Sequence, residues 1–198
     1  MQRIPLSWLC VVFSAMSLLT PLRVISADKT AAPRKEEQKT YKQDEALEEA
    51  KAFFGKGTEG LSKVIAKAFK EQGEPNGFIR GEEGSGAIGV GLRYGHGELQ
   101  MRGGRAQNIY WQGPSIGFDL GGNAAKVFVL VYNLNNTEKL FQRFPGVDGS
   151  LYFVAGVGLC YLRTDGITLA PVRLGVGWRQ GASVGYMHFT RKRTWNPF

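Results

Sequence analysis

The spacing of apolar residues predicts an amphipathic helix near the start of the folded part of the chain. Apolar residues recur there at intervals of three and four, and lysines lie on the other side. Thr58 is a suitable N-cap, and Gly73 is a suitable C-terminal stop. Because such a helix is apolar on one side, we expect it to cover a sheet. The apolar stripe comprises Leu61, Val64, Ile65, Ala68 and Phe69.

After this helix, strand-like stretches alternate with short turns rich in Gly, Asn and Asp. Asp165-Gly166 is the strongest hairpin signal. One short helix is predicted over residues 137–144, ended by Pro145-Gly146. The eight predicted strands cover residues 86–94, 98–102, 108–112, 115–119, 126–133, 150–162, 167–178 and 182–190.

Glycines two residues apart leave one face of a strand without side chains. Such gaps are expected where a narrow barrel crowds that face. Residues 127–132 and 151–157 are apolar on both faces, which predicts cover on both sides. The predicted fold is therefore mainly β: a small eight-stranded antiparallel barrel with an N-terminal amphipathic helix and a short inserted helix. The paired glycines are Gly89 and Gly91, Gly156 and Gly158, and Gly175 and Gly177.

The first 27 residues have the layout of a secretory signal peptide. Arg3 precedes an apolar run, and the segment ends in small residues at Ala27. An uncleaved membrane anchor is the alternative. Residues 28–52 are rich in charge and poor in bulky apolar side chains, so we expect a flexible charged arm. Residues 53–198 then form a single barrel domain.

The charge of the chain points to anionic partners. The full sequence carries a formal charge of +8, and loss of Arg3 and Arg23 with the leader leaves +6. This sign favours acidic lipid headgroups or an anionic glycan, and export argues against nucleic acid. Cleavage would leave Cys160 as the single cysteine, so no intrachain disulfide is expected.

The sequence offers little for catalysis. His96 and His188 lie in no recognisable metal-ligand spacing, and Cys160 alternates within an apolar strand, as a buried structural thiol would. Glu82 and Glu83 are adjacent, so in a strand they point to opposite faces. We therefore predict a non-enzymatic protein without catalytic residues, cofactor or metal site.

Two segments are candidates for binding. One places Tyr110, Trp111 and Gln112 beside a Gly-Pro turn, although Trp111 could instead plug the barrel. The other is the C-terminal run, whose cations and aromatic residues suit anionic headgroups or a protein partner; its rings could instead fold back on the barrel. The candidate surface comprises Tyr110, Trp111, Gln112, Asn123, Arg191, Lys192, Arg193, Trp195 and Phe198.

Several motifs resemble the proteobacterial envelope integrity protein A (EipA) family. The resemblance covers about residues 53–198 and implies a soluble periplasmic protein with a small eight-stranded barrel, no known enzymatic activity, and a role in envelope integrity and stress resistance. Residues 113–158 are more faintly similar to SYLF lipid-binding domains. The motifs run over Pro75-Asn76-Gly77-Phe78-Ile79-Arg80-Gly81-Glu82-Glu83, Gly91-Leu92-Arg93-Tyr94-Gly95, residues 110–119 and Thr194-Trp195-Asn196-Pro197-Phe198.

The leading hypothesis is a periplasmic barrel that supports the envelope, either by holding a lipid or glycan or by docking on an envelope protein. An integral outer-membrane barrel is a second class, although Pro197 and the cations of residues 191–193 interrupt a terminal strand. A hydrolase that uses Asp119 or Glu82 with His96 is a third. The lining of the barrel interior distinguishes a carrier from a scaffold.

Overall fold

The computed structural model describes residues 40–55, 59–119, 124–175 and 185–194, with side chains described for all of these except 85–90 and 115–119. The predicted signal peptide therefore lies outside the described residues, as do Thr58, Asn123, Trp195 and Phe198.

In the part of the chain that the structure describes, two helices precede the sheet. Helix α1 spans Gln43–Phe54, and its first turn is capped where the Lys42 amide donates to Oε2 of Glu45 at 2.8 Å. Helix α2 spans Glu59–Gln72; four of the five residues of the predicted apolar stripe are buried, and Phe69 is partly buried against the same core. It ends at Gly73, whose φ is +81° and whose amide donates to the Phe69 carbonyl at 2.9 Å. The prediction of this helix is confirmed.

The flexible arm predicted through residue 52 is wrong from Tyr41 onward. Tyr41, Ala46 and Ala50 are buried, and an ion pair of 2.8 Å joins Arg102 to Glu45 of α1. The Tyr41 amide also donates to the Pro75 carbonyl at 2.8 Å. The buried helical side chains are mostly alanines, which let the helix approach closely. A helix that packs through alanines leaves no pattern of bulky apolar residues in the sequence, so the contact was not predicted.

Within the described residues, nine antiparallel strands form one sheet: β1 Gly77–Met101, β2 Gln107–Asp119, β3 Ala125–Tyr132, β4 Arg143–Pro145, β5 Tyr152–Val154, β6 Val157–Leu159, β7 Leu162–Thr164, β8 Ile167–Leu174 and β9 Tyr186–Thr190. Their order in the sheet is β4-β9-β2-β1-β3-β8-β6-β5, with β7 paired to β8. An isolated bridge between Gly146, just after β4, and Leu162 of β7 brings the two sides of the sheet together. This curled sheet confirms the prediction of a mainly β, barrel-like fold.

Several of the predicted turns and strand boundaries differ from those in the structure. The glycines of residues 95–97 and 113–114 do not form turns, because β1 and β2 run through them in register. Residues 150–162 form three short strands instead of one. The short helix predicted over 137–144 is a 3₁₀ helix, Thr137–Leu140, followed by β4, in which Phe144 pairs with Met187. The hairpin at Asp165-Gly166 is confirmed, with φ of 48° and 77°.

The sheet buries a core on each face. The inner core fills the barrel, and the outer core lies between the sheet and the two helices. Strand β3 serves both, as its two-sided apolar pattern predicts: Val127, Val129 and Val131 face the inner core, and Phe128, Leu130 and Tyr132 face the outer core. The same prediction is wrong for residues 151–157, where Leu151 and Phe153 are exposed.

Glycines mark crowded backbone at positions outside the predicted pairs, of which Gly89 and Gly177 lie outside the residues whose side chains the structure describes. A Cβ on Gly95 would overlap the indole of Trp111, and one on Gly97 would overlap the backbone of Arg80 and Gly81. The two ends of β1 therefore lie against each other. The pair Gly156 and Gly158 was wrongly predicted to be crowded, because Gly156 lies in the β5–β6 turn with φ +79° and a Cβ on Gly158 would meet Phe153 at 3.8 Å.

Candidate functional site

A buried ionic cluster lies on the inner face of the barrel. Glu83 of β1 accepts a hydrogen bond from Nε of Arg173 at 2.6 Å and another from Nε1 of Trp111 at 3.2 Å. The Nε atom of Arg93 lies 3.5 Å from the same carboxylate. Nη1 of Arg173 also lies 3.9 Å from Sγ of Cys160. These contacts join residues that are far apart in sequence.

The electrostatics of this cluster keep Glu83 ionised. Burial by itself would raise the pKa of Glu83, but the charges of Arg173 and Arg93 and the hydrogen bonds from Arg173 and Trp111 lower it to about 2. The pKa of Arg173 is raised, because the attraction of Glu83 outweighs burial. A carboxylate held in this way does not act as a proton donor at neutral pH. The neighbouring Glu82 is exposed, which confirms that the two carboxylates face opposite ways.

The candidate binding residues beside the Gly-Pro turn are largely buried in the structure. Trp111 and Gln112 are each 2% exposed, so the expectation that they form a docking surface is wrong. Trp111 packs in the inner core, as its alternative role of barrel plug predicts. Tyr110 is half-buried. These three residues and Arg193 line a depression of about 40 Å³. This volume has room for about one water molecule.

A second group of candidate residues does lie on the outside. Arg191, Lys192 and Arg193 are exposed just after β9, and the 3₁₀ helix and β4 add two more exposed cations beside them. β4 lies next to β9, with Arg143 opposite His188. The sequence did not reveal the two added cations, because they lie about fifty residues upstream. We call this group the basic surface: Lys139, Arg143, Arg191, Lys192 and Arg193.

Aromatic rings support two guanidinium groups of the basic surface. The guanidinium of Arg191 lies 4.5 Å from the ring centroid of Phe141, and that of Arg143 lies 5.4 Å from the ring centroid of Tyr186. Arg191 also forms an ion pair with Glu138. These contacts hold the two cations at the surface and bury their stems.

His188 lies beneath the basic surface and adds no charge to it at neutral pH. Its pKa is lowered by burial and, to a smaller extent, by the charge of Arg143. Its Nδ1 atom is buried without a hydrogen-bond partner among the described residues. We therefore treat His188 as part of the packing of β9.

The comparisons with known proteins agree with the fold. The sequence model of the family described as envelope integrity protein A matches residues 39–198. The chain belongs to the envelope integrity protein A family. It is also similar to a crystal structure of a beta-barrel-like, uncharacterized protein from Brucella abortus, with 46% identity and a TM-score of 0.75 over 80% of this chain and 99% of that chain. No curated protein matches the chain.

The description of the family implies a role in the integrity of the cell envelope. Residues of the family-like motifs make hydrogen bonds that hold the fold together. The side-chain amide of Asn76 donates to the Leu134 carbonyl at 3.0 Å and accepts from the Leu134 amide at 3.3 Å, which fixes the end of β3 to the start of β1. Trp111, in another motif, binds Glu83. These two motif residues connect neighbouring parts of the barrel.

One open depression of this protein contains the acid and the base of the predicted hydrolase alternative. Glu82 and His96 are exposed and line a depression of about 570 Å³ beside Arg80 and Glu98. Asp119, the other proposed acid, has no described side chain. Within the described residues, no group of three or more His, Cys, Asp or Glu is placed to hold a metal ion. No helix in that part of the chain is long and apolar enough to cross a membrane.

Proposed function

We propose that this protein is exported to the periplasm and supports envelope integrity there as a non-enzymatic scaffold that acts through its outer surface. The family supports the envelope role. The leader-like pattern of residues 1–27 supports export, with cleavage after Ala27. The remaining question is whether the barrel carries a ligand or acts as a solid body.

The packing of the inner core favours a scaffold over a carrier. Its largest members, Trp111, Phe144 and Phe189, are at most 2% exposed. The ring centroid of Phe189 lies 5.9 Å from that of Trp111 and 5.8 Å from that of Phe144. A lipid carrier needs a cavity of several hundred Å³ lined by apolar groups. The described part of the interior is occupied by side chains of the protein itself, which supports a role for the outer surface.

The outer core favours a water-soluble barrel over an outer-membrane barrel. A membrane barrel turns its apolar strand face toward lipid. In this protein the outward face of β3 is buried: Phe128 and Leu130 are fully covered and pack in the outer core with residues of both helices. Strands β4 to β7 each contain three residues, fewer than the roughly 9 residues that a membrane strand needs.

Location is tested on the full chain in its native host. We expect the protein in the fraction released by osmotic shock without detergent, with a mass that begins at Asp28. Recovery in detergent-extracted membranes alone, or a mass that includes residues 1–27, would contradict the proposal of a cleaved, soluble protein.

The scaffold role is tested by native mass spectrometry of the protein from the same periplasmic fraction. We expect the mass of the polypeptide alone, together with restored resistance to detergent when the gene is returned to a deletion strain. A stoichiometric copurified lipid or glycan would overturn the scaffold in favour of a carrier. Unchanged detergent resistance in the deletion strain would overturn the envelope role itself.

A further inference from the structure

We propose that the basic surface docks on a bilayer that contains anionic phospholipids. This inference rests on the proposed function for its compartment, and it names the partner of the outer surface. The basic surface joins elements from two parts of the chain: the C-terminal cations, and those of the 3₁₀ helix and β4.

Charge separates this surface from the rest of the described protein. Between Thr137 and Pro145 and between Tyr186 and Thr194, the charged side chains are the five cations of the basic surface and one carboxylate, Glu138, which leaves four positive charges in excess. His188 is in the same region with a lowered pKa and stays neutral at pH 7. Clusters of this size bind anionic lipid headgroups.

The helical side of the molecule shows the contrast. Several of its cations form ion pairs with carboxylates, among them Lys42 with Glu74 at 2.8 Å, Lys63 with Glu59 at 2.6 Å and Arg102 with Glu45 at 2.8 Å. A positive charge neutralised by a neighbour contributes little to long-range attraction. These pairs weaken the positive field of the helical side, whereas the two described segments of the basic surface hold one carboxylate beside five cations.

The shape of the basic surface favours a bilayer over a glycan. The adjoining depression, lined in part by Tyr110 and Arg193, has a volume of about 40 Å³ and does not accept a sugar ring. A planar array of headgroups needs no pocket. The rings of Phe141 and Tyr186 are partly exposed beneath their guanidinium groups, and aromatic groups of this kind settle at the level of the headgroups.

The experiment measures sedimentation of the mature chain with vesicles. One set contains phosphatidylglycerol and phosphatidylethanolamine, and the other contains phosphatidylcholine alone. We expect binding to the anionic set that weakens steeply as salt rises, and no binding to the neutral set. Binding to the neutral set, or no binding to either set at low salt, would overturn the proposal.

Two variants of equal net charge locate the contact. The first carries Arg191→Gln, Lys192→Gln and Arg193→Gln; the control carries Lys42→Gln, Lys63→Gln and Lys70→Gln on the helical side, where all three lysines are exposed. At about 1 kcal/mol per cation, the first variant should bind anionic vesicles roughly 100-fold more weakly. The control should bind within about threefold of the natural chain. Equal losses in both would mean that net charge, and not this surface, drives binding.

Two further arms distinguish the remaining explanations. If inorganic phosphate at millimolar concentration displaces the protein at constant ionic strength, the site recognises phosphate itself and the bilayer proposal is overturned. If the first variant binds no vesicles but still restores detergent resistance to a deletion strain, the bilayer contact is not the functional one. In that case the proposed scaffold role stands and only this inference fails.

Discussion

The Nε atom of Arg173 lies 2.6 Å from Oε1 of Glu83, and this contact connects β8 to β1 across the intervening strand β3. Trp111 of β2 binds the same carboxylate, so one side chain links three strands. Breaking a buried ion pair leaves a charge without compensation, which costs more than the intact pair contributes. Glu83 is therefore a point at which the barrel is sensitive to substitution.

Glu83→Gln should lower the free energy of unfolding by about 3 to 5 kcal/mol, because the neutral amide leaves buried guanidinium groups without their counter-charge. Urea denaturation followed by Trp fluorescence measures the change. Glu82→Gln is the matched control: the side chain is adjacent and exposed, and we expect a change within about 0.5 kcal/mol. Similar effects of the two substitutions would contradict the structural role of Glu83.

The same carboxylate should make the protein sensitive to acid. The pKa of Glu83 is lowered from 4.5 to about 2 in the folded state. Its contribution of about 3 kcal/mol is therefore fully present above pH 4.5 and is lost as the pH falls toward 2. The pKa of Glu71 is also lowered, by its hydrogen bonds from Lys67 and Tyr161, so this carboxylate adds to the sensitivity to acid.

The difference between the natural chain and Glu83→Gln isolates this contribution. Their free energies of unfolding should converge between pH 4.5 and pH 2, measured by urea denaturation at each pH. A constant difference across this range would show that Glu83 is not ionised in the folded protein.

Crowding at the glycines can be tested by adding one methyl group. Gly95→Ala places a Cβ within the indole of Trp111, which is held by the inner core and by its hydrogen bond to Glu83, so we expect a loss of about 1 to 3 kcal/mol. Gly84→Ala is the control, because a Cβ there meets no atom within 4 Å. If both variants unfold at the same urea concentration, crowding does not explain Gly95.

The sequence was sufficient for the class of the fold and for helix α2. Periodicity identified the stripe of α2 because its residues are large and regularly spaced, and the two-sided pattern of β3 correctly required cover on both faces. It could not show that β1 continues through Gly95 and Gly97. Glycines beside a polar residue predict a turn locally, whereas here they permit close approach of residues sixteen positions apart.

The candidate site was predictable in part. A run of three cations is visible in any sequence, but Lys139 and Arg143 join it through the pairing of β4 with β9, which the predicted helix over 137–144 did not allow. The sequence left two roles open for Trp111. Trp111 was proposed both as binding residue and as barrel plug, and burial decides for the plug. The faint similarity to SYLF domains stays a prediction.

The N-terminal boundary of the folded domain can be located by truncation of the mature chain. Deletion of residues 28–39 should leave the free energy of unfolding unchanged, because this segment offers few bulky apolar side chains. Deletion of residues 28–54 removes α1 and Tyr41 and uncovers the outer core, so we expect a loss of several kcal/mol or failure to fold. Equal stability of both variants, measured in urea, would return the boundary to residue 53.

The exposed acid and base offer a direct test of whether the protein is an enzyme. Glu82 and His96 line one depression, and among its lining residues Ala52, Phe53, Arg80, Gly81, Gly97 and Glu98 there is no hydroxyl or thiol nucleophile. A hydrolase that uses the pair predicted from the sequence would need Glu82 or His96 to activate water. We expect the double variant Glu82→Gln and His96→Gln to restore detergent resistance to a deletion strain as fully as the natural chain does.

Both side chains are exposed, so the double variant should also keep the stability of the natural chain. This separates chemistry from folding: a variant that folds normally but fails to restore resistance would point to a reaction in this depression. The vesicle measurement should be unchanged in the same variant, because the basic surface consists of other residues. A loss of resistance with normal stability and normal vesicle binding would therefore contradict the scaffold and leave the hydrolase as the better explanation.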